Sequence, residues 1–132
     1  KQNRNIFGKP IVKDPAHIVA LRSLDKIRTQ NLWQNNKQKQ YYTAITDTLR
    51  VYISDRYNLS AMEMTSNEIL DILSKDKELE QRVYEDLSSL FTTADLVKFA
   101  KYLASEEENQ DAIPIAVRFV NATFLQELEE NR

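Results

Sequence analysis

A chain of 132 residues with a single glycine, Gly8, has few means of building a sheet. Hairpin turns and phosphate-cradling loops draw on glycine for positive φ, and no glycine follows position 8. Prolines are scarce as well, three in all, where globular proteins carry about 7% Gly and 5% Pro. What remains is rich in helix formers. The expected fold is therefore all-α, with about six short-to-medium helices in an orthogonal or bundle-like single domain over residues 14–132, behind a basic extended leader, residues 1–13. A chain of this length buries roughly 70% of its unfolded surface, so a core can form without staples. Cysteine is absent, which rules out disulfides and thiol chemistry and is compatible with a reducing compartment.

Local signals place the helices. Asp14-Pro15 reads as a cap followed by proline at the first helical position, opening a stretch with Ile18, Leu21, Leu24 and Ile27 that runs toward Trp33 and breaks at Asn35-Asn36. Tyr42, Ile45, Leu49, Tyr52 and Arg56 step by three and four, predicting the central wall of the core. Arg56 continues that stripe and requires a carboxylate partner or a route to solvent. Asn58 supplies a left-handed stop. Thr65 with Glu68 and Ser105 with Glu108 are capping boxes. A helix is expected from Asp76 through Leu79, Val83, Leu87 and Phe91, interrupted at Thr92-Thr93 and followed by another bearing Leu96, Val97, Phe99 and Leu103. Pro114 predicts a kink in the last helix or a start delayed to Asp111.

Charge is sorted along the chain. Residues 1–40 hold nine Lys or Arg against two acids, whereas residues 41–132 hold nine against eighteen. Such a split points to an anionic partner at the basic end, a membrane surface or a nucleic acid. Lys1, Arg4, Lys9 and Lys13 fit a juxtamembrane leader that contacts an anionic membrane surface, each cation contributing about 1 kcal/mol. Nucleic-acid binding through the basic region 1–40 is the alternative. A helix-turn-helix reading of residues 65–90 carries the wrong charge, because Glu78, Glu80, Glu85 and Asp86 would meet phosphates. No apolar run reaches the roughly 20 residues that span a bilayer, and a first residue other than Met suggests a piece of something longer.

Chemistry-bearing patterns are sparse. The one histidine, His17, has no local partner and is expected as an exposed surface residue. Glu106, Glu107, Glu108 and Asp111 match no calcium loop and complement a helix dipole. No catalytic, cofactor-binding or metal residues are expected, and the chain reads as non-enzymatic. Tyr41, Tyr42, Tyr52 and Tyr57 with Arg50 and Arg56 form the most unusual cluster. Packing with hydroxyls at the rim is one reading. Partner contact through Tyr41, Arg50 and Tyr57 is the other, since aromatics and arginine are favoured at interfaces.

Three stretches carry a resemblance: Lys13-Asp14-Pro15-Ala16-His17 leading into Leu21, Tyr41-Tyr42 through Leu49-Arg50-Val51-Tyr52-Ile53-Ser54-Asp55-Arg56-Tyr57, and Ala94-Asp95-Leu96-Val97-Lys98-Phe99-Ala100-Lys101. Together they resemble the cytosolic C-terminal domain of single-pass membrane proteins of Bacteroidetes encoded near Bat aerotolerance genes. The resemblance implies a soluble domain on the cytoplasmic side of the inner membrane. It also implies a protein partner such as a MoxR-type ATPase or a von Willebrand factor A protein, and it brings no catalytic residues.

Overall fold

The computed structural model describes residues 14–131, and among these it is all-helical with no strand. The helices are α1 (Ala16–Thr29), α2 (Gln38–Tyr57), α3 (Ser66–Leu73), α4 (Gln81–Phe99) and α5 (Glu106–Glu130), with single 3-10 turns at Trp33–Asn35 and Ala61–Glu63. The all-α expectation holds, with five α-helices in place of six. The expected leader, with Lys1, Arg4, Lys9 and Lys13, lies outside the described residues.

The four long helices alternate in direction. Tyr41 reaches Asn109 and Tyr52 reaches Val120, so two residues eleven apart on α2 meet two residues eleven apart on α5. The two helices therefore run parallel in register over three turns, since eleven residues close three turns of helix. α1 runs the other way: His17 stacks on Phe124 near the far end of α5, while Ile27 lies by Tyr41 and Asn109 at the near end. α4 is likewise antiparallel, with Lys98 on Thr46, Asp86 on Arg118 and Thr93 on Glu108. α1 and α4 thus flank the α2–α5 pair, and Tyr42, Leu49, Phe91 and Phe119 meet fully buried between them.

Both capping boxes are present as expected: Thr65 Oγ1 accepts from the Glu68 N–H and Ser105 Oγ from the Glu108 N–H, each at 3.1 Å, while each glutamate returns to the cap N–H at 2.8 Å. Asn58 is left-handed and ends α2, its N–H and that of Leu59 both reaching the Ser54 carbonyl. Asn36 plays the same part after Trp33–Asn35, and Asn31 is a third left-handed asparagine. In a chain nearly without glycine, asparagine takes these turns because its short polar side chain tolerates αL.

Three expectations need correcting, and of the two alternatives at Pro114 the delayed start drops out. Asp14 does not cap α1; its carboxylate pairs with Arg22 at 2.9 Å, and Pro15 holds the N-cap without a side-chain bond. The helix expected from Asp76 begins at Gln81, because Asp76 Oδ1 accepts from the Glu78 N–H in a local turn. Thr92-Thr93 does not interrupt it: two threonines cost only tenths of a kcal/mol each in a helix, far less than the burial of Phe91, Ala94 and Val97 returns. α5 starts at Glu106, ahead of Asp111, and Pro114 sits in its third turn.

Lys101, which follows the α4 C-cap, has φ of 57°. A left-handed conformation strains any residue with a Cβ, so Lys101→Gly is expected to stabilise the fold by about 0.5–1 kcal/mol. A thermal melt that stays put or falls would contradict a strained Lys101.

Candidate interaction surface

The tyrosine cluster forms an internal seam. Burial pushes the Tyr41 hydroxyl up to about 12. Tyr42 is raised further by burial and by Tyr41 beside it, and Tyr52 is raised by burial despite Thr123 and Arg56, which act the other way. All three stay neutral donors at physiological pH. Tyr41 donates to the Asn109 carbonyl and Tyr42 to Asn109 Oδ1, each at 2.8 Å. The Tyr52 hydroxyl lies 2.7 Å from Thr123 Oγ1, and Arg56 Nε donates to the Thr123 carbonyl at 3.0 Å. Arg56 also reaches Glu130 at 3.4 Å, the carboxylate partner its place on the stripe required.

Each of the three residues read as a possible partner contact has partners within the chain, and of the three only Tyr41 is buried away from a partner's reach. Tyr41 is buried, with its hydroxyl committed to α5. Arg50 braces a junction: its guanidinium donates to the carbonyls of Ala61 and Met64 and to Ser66 Oγ, while Ser66 bonds Asp95 on α4. Tyr57 donates to Asp76 Oδ2 at 2.9 Å, and Gln126 of α5 donates to the same carboxylate. Burial first, then this bond, raises Tyr57. The hydroxyls were expected at the rim; they point inward because α5 offers Asn109 and Thr123 as buried partners. His17 is corrected as well, since it is half-buried against Phe124 with ring centroids 3.5 Å apart.

Asn109 holds two tyrosines at once, and Asn109→Ala would leave the Tyr42 hydroxyl buried without its acceptor. The expected cost is about 1–3 kcal/mol. In a double-mutant cycle Tyr42→Phe should then be nearly neutral in the Asn109→Ala background, and fully additive costs would refute the pairing.

Side chains that do face water are elsewhere. Phe99 and Leu103 are each 80% exposed, beside Leu96 and Tyr102, and form an apolar corner where α4 passes into α5. Leu96, Phe99 and Leu103 were expected on a separate helix after Thr92-Thr93; α4 instead ends at Phe99 and Leu103 lies beyond it. At 100° per residue Phe99 falls roughly 150° from the buried Val83, Leu87, Leu90 and Ala94 face, a signal that becomes visible once α4 is one helix. The Ala104 N–H donates to Gln38 Oε1, fixing this corner against the start of α2. Lys98 behind it is held below the ordinary lysine range by burial, with Asp95 and Asp47 acting in the opposite direction.

Two of the grooves on the surface are ringed by acids. Between α1 and α2 lies one of about 680 Å³ with Val19 and Val51 in its wall and Asp14, Asp47 and Asp55 around it. Between α4 and α5, Glu78, Glu80, Glu129 and Glu130 surround another of about 650 Å³ that includes Leu79 and Val83. Desolvation and the neighbouring Glu130 carboxylate hold Glu78 above the usual carboxylate range. Among the described residues no three His, Asp or Glu side chains gather as a metal site, and no helix is long and apolar enough to cross a membrane. Residues 14–131 hold all twenty acidic side chains against thirteen basic ones. Set against family models, curated proteins and solved structures, the chain matches none.

Proposed function

We propose that this chain is a non-enzymatic helical protein-interaction domain, held at the cytoplasmic face of a bacterial inner membrane through its basic leader. The observation that carries the reading is the apolar corner. Leaving Phe99 and Leu103 in water forgoes about 1.5–3 kcal/mol apiece, and grouped apolar side chains on a charged surface mark contact sites. A protein partner that covers them recovers that free energy. The acidic faces repel an anionic bilayer, so lipid contact falls to Lys1, Arg4, Lys9 and Lys13. The domain then hangs from its leader with the corner free.

The resemblance to domains encoded near Bat genes supplies the candidates, a MoxR-type ATPase and a von Willebrand factor A protein. Calorimetric titration against each, with the Phe99→Ser and Leu103→Ser double variant alongside, tests the corner. Binding by the parent chain and its loss of about tenfold or more in the double variant is the expected result, since two lost apolar contacts exceed 1.4 kcal/mol. Equal binding by both would refute the corner as the contact. For the leader, flotation with anionic vesicles should fall to the level of neutral vesicles once Lys1, Arg4, Lys9 and Lys13 are alanine; equal recovery on both lipids by the parent chain would refute the tether.

A further inference from the structure

The α1–α2 groove has a composition that calls for a particular occupant. Val19 is 41% and Val51 46% exposed in its wall, and Ala16 and Ala20 keep it shallow and apolar. Asp47 and Asp55 stand on the α2 side, eight residues and so about 12 Å apart. Neither makes an ion pair among the described residues, although Asp47 lies near the part-buried Lys98, whereas Asp14 is already held by Arg22. The groove therefore fits an apolar segment bearing positive charge.

Residues 1–13 are such a segment, and they join the folded domain at Asp14 on the groove's own edge. Ile6, Phe7, Ile11 and Val12 alternate with Lys1, Arg4, Lys9 and Lys13, and the segment has no acid. From Lys13 back to Phe7 an extended chain covers roughly 20 Å, more than the Asp47 to Asp55 span. We propose that residues 6–12 dock in cis in the α1–α2 groove, with Ile11 or Phe7 on Val19 and Val51 and with Lys9 and Lys13 facing Asp47 and Asp55. Covalent attachment at the rim gives this segment an effective concentration in the millimolar range that a separate peptide lacks. None of the residues that line the groove belongs to the apolar corner, and docking without lipid is read separately from the partner contact. Lys9 and Lys13 engaged by the groove are withheld from a bilayer, so the docked leader and the lipid-bound leader are mutually exclusive states.

A single introduced thiol labels cleanly because the chain has no cysteine. A nitroxide on Asn5→Cys of the full chain, read by two-dimensional amide NMR without lipid, should broaden Val19 and Val51 several times more than Leu103. Asp47→Lys with Asp55→Lys should abolish the difference, as should Phe7→Ser with Ile11→Ser, which leaves residues 14–132 unchanged. Broadening that is uniform over the surface, or that survives both double variants, overturns the proposal. So does broadening of Val19 and Val51 only in a mixture of labelled and isotope-enriched chains, which would make the occupant a second copy.

Discussion

Truncating Phe91 to alanine is expected to cost about 3–5 kcal/mol, enough to bring a domain of ordinary stability, about 5–15 kcal/mol, close to unfolding. Phe91 is fully buried on α4, and the Arg50 guanidinium lies 5.8 Å from its ring centroid. The void would open beside the one arginine that ties α2 to the carbonyls of Ala61 and Met64 and, through Ser66, to Asp95. Loss therefore spreads from packing to a polar junction. Phe91→Leu keeps most of the volume and should cost less than about 1.5 kcal/mol. Urea denaturation checks both; a cost below about 1 kcal/mol for Phe91→Ala would mean that the core closes over the void.

Alkaline pH is expected to unfold the protein cooperatively between about pH 10 and 12. An unfolded tyrosine loses its proton near 10, whereas the folded chain keeps that of Tyr41 to about 12 and those of Tyr42, Tyr52 and Tyr57 above their ordinary value. Above pH 10 the unfolded state binds fewer protons than the folded one, so stability is intact below 10 and falls as pH rises. Tyr41 alone carries about 3 kcal/mol of this dependence across its two-unit displacement. Tyrosinate absorbance and far-ultraviolet circular dichroism, followed together, should change at the same pH. Smooth ionisation near pH 10 with the helices intact would contradict the buried seam.

Local signals proved legible where a few adjacent residues decide the outcome. The capping boxes depend on side chains reaching their own backbone within three positions, and the Asn58 stop on one residue's tolerance of the left-handed conformation; each formed as read. Thr92-Thr93 misled because propensity is a weak term that packing overrides: Phe91, Ala94 and Val97 all bury against neighbours that lie far away in sequence. Reading a break there split α4 in two, and the outward place of Phe99 shows only when α4 is one helix. Tyr41, Arg50 and Tyr57 were ambiguous for another reason. Aromatic and arginine side chains suit an interface and a buried polar junction equally well, and only the position of their partners distinguishes the two.

By itself, the amino-acid order settled that the chain is helical, where several helices begin and stop, and that α2 carries the central stripe. Glycine shortage, capping and periodicity act over a few residues, so a linear reading captures them. The tertiary structure alone decided that α2 and α5 run parallel, that their tyrosines turn inward to Asn109 and Thr123, and which apolar side chains stay in water. Those outcomes rest on contacts between residues nearly seventy positions apart, and the chain's entropy leaves such pairings unspecified until the helices pack.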